Sequence, residues 1–227
     1  MLVRPPRDVN ARCTYRLSMT DLAVSFVPTL HGDARVHLAL PADGSDGLLM
    51  LGHGAGGGVT AHDLQLASGV ALGVGLAVAL VEQPYRVAGR KAPAPLAQVD
   101  AAWCAVAEHL RGKELADLPL VVGGRSFGAR VACRTSSDVG AAGVLCLAFP
   151  VHPPGRPEKS RLAELTFVTV PTLVVQGDHD PFGVPDSKSL TSWITLAVVT
   201  GDHSLKKDAP AIRGAITSWL ATVIPGA

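Results

Sequence analysis

Short, unbroken apolar runs alternate along this chain with longer stretches in which apolar residues recur every three or four positions. Arg35-Val-His-Leu-Ala-Leu40 and Leu48-Leu-Met-Leu51 read as two early strands, parted by a Pro41/Gly44 turn. A glycine-rich loop from His53 to Gly58 follows, then a helix and a strand at Leu76–Val81. Leu96, Val99, Trp103, Val106 and Leu110 predict a helix, with Pro95 near its start. Further strands are predicted at Leu118–Val122, Gly143–Phe149, Pro171–Gln176 and Ile194–Val199. One helix opens at Phe127–Cys133, and a last one runs from about Pro210 to Val223 with Ile212, Ile216, Leu220 and Val223 on one face. Continuous apolar strands flanked by helices predict an α/β fold, with a mostly parallel central sheet covered on both faces.

Length and composition narrow the picture. The 227 residues suit a single domain spanning the chain, with residues 1–20 matching no pattern and read as an extra strand or an arm. Lys and Arg number 20 against 19 Asp and Glu, a net charge of +1, which leaves no basic excess for nucleic acid or an anionic membrane. Cys13, Cys104, Cys133 and Cys146 are scattered without a CxxC pair, so they read as buried small residues in a reducing, cytoplasmic setting. The N-terminus has basic residues but no apolar segment of signal length. Leu64–Val81 has no charge and a Gly69/Gly73 GxxxG spacing, yet its polar residues and glycines read better as a helix followed by a buried strand than as a membrane span.

Chemistry concentrates in a few loops. Gly124-Arg125-Ser126-Phe127-Gly128 fits G-x-S-x-G directly after one predicted strand and before a helix, which is the context a nucleophile elbow requires. There the Phe127 N–H lies at a helix N-terminus, where an oxyanion is stabilised. His53-Gly54-Ala55-Gly56-Gly57-Gly58 also follows a strand, and Ala55 N–H is the expected second oxyanion donor. A phosphate-binding reading of this loop fails, since no Gly-Lys-Ser/Thr follows. After the elbow, Asp180 and His203 each lie just past a strand end, giving the order Ser, Asp, His. Asp178 and Asp202 are the next-best acids, otherwise read as turn caps. His53, Gly54, Gly56, Arg125 and His152 are assigned to the substrate pocket, with His53 itself read as structural and not catalytic. His31, His37, His62 and His109 read as surface or helix residues. A metal site built from Asp178, His179, Asp180, Asp202 and His203 lacks an HExxH or HxHxDH cluster and leaves the serine unexplained.

Together, HGAGGG, GGRSFGAR, LAFPVHPPGRPEKSR, VPTLVVQGDHDPFG and GDHSLK resemble the small α/β-hydrolases related to dienelactone hydrolase. More narrowly, they resemble the hydrolase-like domain group shared by bacterial proteins, testis-expressed animal proteins and a subunit of the non-specific lethal chromatin complex. The similarity runs from about Ala34 to the C-terminus. It implies an α/β-hydrolase fold with little or no cap, and Ser126, Asp180 and His203 as triad. Only about twenty residues separate Pro150 from the strand at Pro171, too few for a cap domain. Two departures matter. Ser126 stands where dienelactone hydrolases proper carry cysteine, so that chemistry does not transfer. Arg125 sets a cation beside the nucleophile, either for an acidic substrate or, as favoured here, paired with a nearby carboxylate. The expected activity is cofactor-free hydrolysis of a small ester or thioester by a monomer or homodimer. The rival is an interaction scaffold that keeps the fold without turnover, since fold alone does not fix function.

Overall fold

The computed structural model describes residues 22–112 and 115–225. Leu48 and Met50 point to one face of the sheet and Leu49 and Leu51 to the other, all four buried. That alternation places a continuous apolar strand between two helical layers. The strands are β1 (Ala23–Val27), β2 (Ala34–Ala39), β3 (Gly47–Gly52), β4 (Leu76–Glu82), β5 (Leu120–Arg125), β6 (Gly143–Leu147), β7 (Thr172–Gly177) and β8 (Ile194–Val199). They form one sheet in the order β1-β2-β4-β3-β5-β6-β7-β8. β2 runs antiparallel to β1 and β4, and all other pairs are parallel.

The helices are α1 (His62–Gly73), α2 (Pro84–Val87), α3 (Leu96–Arg111), α4 (Phe127–Thr135), α5 (Leu162–Thr166) and α6 (Ala209–Val223). α3 and α4 cover one face, where Val99, Trp103, Val106 and Val131 join Met50, Val122 and Val144. On the opposite face, Leu64, Ala67, Ile212, Ile216 and Leu220 of α1 and α6 meet Leu49, Val121 and Leu145. Asp208 caps α6 by accepting from Ala211 N–H at 3.2 Å. The uncharged run 64–81 divides at Gly75, whose φ of 93° turns the chain from α1 into β4. Among the described residues no helix is long and apolar enough to cross a membrane.

Several expectations shift. Neither β1 nor the short helices α2 and α5 carried a readable pattern, and Leu96 is exposed although it belongs to the α3 stripe. His37 is a buried residue of β2, and its Nε2 lies 2.7 Å from Glu82 Oε1. Residues 148–171, between β6 and β7, hold only the five-residue α5, so there is no cap domain. Cys133 and Cys146 are buried thiols with Sγ atoms 3.5 Å apart, and this contact, together with burial, pushes the Cys133 thiol well above its usual value. Residues 1–20, including Cys13, lie outside the described residues.

Candidate active site

Ser126 sits at the junction of β5 and α4 with φ 52° and ψ −109°, a region that a residue bearing a Cβ enters only under strain. Two neighbours make this turn sterically feasible. A Cβ at Gly124 would lie 2.5 Å from Gly52 O, and one at Gly128 would overlap the Gly52 carbonyl. The glycines of G-x-S-x-G are therefore demanded by the end of β3, which passes directly against the elbow. Ser126 N–H donates to Leu147 O at 2.9 Å and ties the turn to β6.

The imidazole of His203, on the loop after β8, completes a continuous chain. Ser126 Oγ lies 2.9 Å from Nε2, and Nδ1 lies 2.8 Å from Asp180 Oδ2. A carboxylate only accepts, so Nδ1 carries the proton and Nε2 is left to accept from the serine hydroxyl. Asp180 is held by two further donors, Gln176 Nε2 at 2.7 Å and Phe182 N–H at 2.8 Å. Gln176 Nε2 also reaches Gly183 O at 2.9 Å, which closes the acid loop on itself. The Phe182 ring stacks on His203 with centroids 4.1 Å apart. A Cβ at Gly177 would lie 2.6 Å from both Gly201 O and Asp202 O, so the bare backbone there lets the histidine loop pack onto β7.

The glycine-rich loop after β3 borders the serine. A Cβ at Gly54 would fall 3.8 Å from Ser126 Cβ, and Tyr85 OH donates to Ala55 O at 2.8 Å. Burial pushes the Tyr85 phenol up to about 12. Phe127 is the first residue of α4, where an N–H has no carbonyl inside the helix to bond. His53 does not line the pocket as assigned. It is buried, with Nδ1–H donating to Gly54 O at 2.8 Å and Nε2 accepting from Gln83 N–H at 3.1 Å. Burial lowers its pKa, so it serves as a neutral strap between the loop and the end of β4. Gly56 is exposed, with Lys91 O 3.9 Å from the place of a Cβ. His152 abuts Gly183 and its Nδ1 bonds to Pro153 O at 2.9 Å. Arg125 pairs with a carboxylate, its Nε 3.0 Å from Asp63 Oδ2.

Residues 45–214 match the model of the family described as alpha/beta hydrolase domain. The chain belongs to that family. This hydrolase domain is similar to an α/β serine hydrolase without lid from Xanthomonas campestris, at 22% identity and TM-score 0.70, covering 91% of this chain and 96% of that one. An alpha-beta serine hydrolase homologue from Coxiella burnetii gives 19% identity and TM-score 0.73, over 88% and 97% of the two chains. A dienelactone hydrolase from Anabaena variabilis gives 16% and 0.70, over 88% and 97%. At these identities the likeness is one of fold. No curated protein matches the sequence significantly, and the narrower likeness to testis-expressed and chromatin-complex proteins stays an expectation from the motifs.

Several residues of the hydrolase domain's site were not singled out from sequence. Gln176 donates to Asp180, Phe182 stacks on His203, and Asp63 pairs with Arg125. Gln176 had one weak signal, a polar side chain inside an otherwise apolar strand. Asp178 and Asp202 are exposed turn residues. Asp178 Oδ1 accepts from Gly201 N–H at 2.8 Å and faces His179 Nδ1 at 2.7 Å, while Asp202 Oδ1 accepts from Ser204 N–H at 2.8 Å. The Ser204 hydroxyl also donates to Asp202 Oδ1, and that bond for Asp202 and the Gly201 bond for Asp178 are the main reasons both carboxyls lie below their ordinary range. Among the described residues no group of three or more His, Cys, Asp or Glu side chains is arranged to hold a metal ion.

Proposed function

We propose that the chain is a serine hydrolase acting on small carboxylic esters or thioesters. The observation that carries this reading is the unbroken contact chain from Ser126 Oγ through His203 to Asp180, at 2.9 and 2.8 Å. His203 Nε2 takes the hydroxyl proton as Oγ attacks the carbonyl carbon, and Asp180 holds the tautomer and opposes the charge that forms on the ring. The N–H groups of Ala55 and Phe127 hold the oxyanion. Collapse of the tetrahedral adduct breaks the C–O or C–S bond, and the proton on Nε2 passes to the departing alcohol or thiol. Water, deprotonated by the same nitrogen, then cleaves the acyl-enzyme to a carboxylic acid and restores Ser126. No step calls on a cofactor.

Two further observations support details of the reading. The short β6–β7 connection holds no cap domain, which favours small substrates with weak selectivity for acyl length. The buried, unbridged thiols of Cys133 and Cys146 accord with a cytoplasmic location. The deciding experiment is intact-mass analysis after exposure to a fluorophosphonate. One adduct on the wild type and none on Ser126→Ala is the expected result. A folded wild type without an adduct refutes the mechanism and leaves the non-catalytic scaffold as the better reading.

A further inference from the structure

Arg125 stands beside the nucleophile, yet none of the steps above uses its charge. Its Nε lies 3.0 Å from Asp63 Oδ2, and its Nη2 donates to the main-chain carbonyl of His203 at 3.0 Å. Its Nη1 lies 3.0 Å from the place of a Cβ at Gly54. One planar group thus touches the first turn of α1, the glycine-rich loop and the histidine loop. Asp63 is equally unaccounted for. Its side chain is wholly buried, Oδ1 accepts from Leu64 N–H at 3.0 Å, and Oδ2 faces Arg125 as an ion pair without an aligned hydrogen bond.

A cation in this place has two uses: to attract an anionic part of the substrate, or to hold the machinery together. The guanidinium has five directional N–H groups, and here two of its three nitrogens face protein partners while the third packs against Gly54. Its side chain is 22% exposed. We infer that Arg125 and Asp63 form a positioning pair that fixes the His203 loop against the Ser126 elbow, an inference that rests on the serine-hydrolase reading above. The reason lies in the topology. Among the described residues β8 is the edge strand and its one strand neighbour is β7, so no further strand flanks the loop that follows it. Arg125 is bonded covalently to Ser126 and by hydrogen bond to the carbonyl of residue 203, so it links nucleophile and base across a single residue. Asp63 supplies the guanidinium's counter-charge at 3.0 Å. Burial raises the Asp63 pKa, and the Arg125 charge partly opposes that rise.

The test compares wild type, Arg125→Gln, Arg125→Lys, Asp63→Asn and the double variant Asp63→Asn/Arg125→Gln. Turnover of neutral p-nitrophenyl acetate and hydrogen exchange of the segment 200–208 are read side by side. A positioning role predicts that Arg125→Gln lowers kcat on the order of 100-fold with KM unchanged. The lysine variant recovers part of that loss, since it keeps the charge but not the fork. The double variant is no slower than Arg125→Gln, since the two residues act as one unit. Exchange over 200–208 accelerates at least about tenfold in Arg125→Gln while the core strands are unchanged. Unaltered exchange over 200–208 overturns the inference. So does a rise in KM at constant kcat, which assigns Arg125 to substrate binding. Should Arg125→Gln fail to fold, Arg125→Lys and Asp63→Asn carry the same comparison. Hydrogen exchange needs no turnover, so a wild type that proves inert refutes the hydrolase reading while the tether is still decided by the exchange data.

Discussion

The sharpest structural test of the site is one methyl group at residue 124. Gly124 is paired in register with Gly52, and a Cβ added there would lie 2.5 Å from Gly52 O, 2.8 Å from Gly128 C and 3.0 Å from Gly52 N. Relaxed heavy-atom contacts fall near 3.5 Å, so Gly124→Ala forces the end of β3 and the elbow apart by roughly 0.5–1 Å. All three clashing atoms are backbone, and no side chain can swing away to absorb the strain. Overpacking of this kind costs about 1–3 kcal/mol, and at about 2–4 °C per kcal/mol for a chain of this size Tm falls by about 2–12 °C. A kinetic penalty accompanies it. The glycine-rich loop starts one residue after Gly52, so the same displacement carries Gly54, which borders Ser126, away from it. A misplacement near 1 Å costs on the order of 100-fold in rate. The control is Gly214→Ala on the exposed side of α6, where a Cβ meets nothing within 4 Å. There the same methyl group gains about 0.5–1 kcal/mol through helix propensity and leaves turnover alone. Thermal unfolding and p-nitrophenyl acetate hydrolysis on the three proteins read both quantities. If Gly124→Ala melts within about 1 °C of wild type and turns over within about twofold, the steric account of the elbow is wrong.

Two other outcomes follow from the geometry. Asp180→Asn removes the acceptor that fixes the His203 tautomer and is expected to lower kcat about 10⁴-fold, whereas Asp202→Asn stays within about threefold because its carboxylate caps an exposed turn; equal losses in the two variants would show that the acid is misassigned. His53 supplies a pH dependence of stability. Burial sets its folded pKa below the ordinary value of 6.5, so as pH falls through about 6.5 the unfolded chain takes up a proton that the folded one refuses. Stability therefore declines on that side by at most about 1.4 kcal/mol per pH unit from this group. Denaturant titrations at pH 7.5 and 5.5 should show a shallower decline for His53→Asn than for wild type, and an identical slope in both would mean that the ring is not held neutral.

Which features could be read from the sequence follows from what fixes each of them. The strands β3 to β7 were legible because a strand buried on both faces must be apolar throughout, and the elbow because Gly124 and Gly128 answer to a backbone clash that penalises any Cβ. Asp180 and His203 were legible because strand ends in a parallel sheet point to one edge. β1 left no such trace, since four of its five residues are exposed and nothing enforces alternation. α5, at five residues, is too short to show a period.

The internal supports of the site escape sequence reading for a different reason. Asp63 looks like an acid placed to favour the first turn of a helix, and its composition and spacing suggest nothing more. In the fold it is fully buried against Arg125, which lies beyond one intervening strand and two helices in the chain. His53 likewise looks like a pocket residue until its two ring nitrogens are both found bonded within the protein. Such contacts are fixed by which elements cross near one point, not by any repeat along one of them. Periodicity reports the face an element buries, whereas a polar contact between elements depends on the rotation and offset of both at once. The contact chain of Ser126, Asp180 and His203 escapes that difficulty because a parallel sheet with these loops gathers the three residues at one edge. The Arg125–Asp63 pair does not, and that is why the charge beside the nucleophile stayed ambiguous in the sequence while the buried carboxylate gives it a partner in the structure.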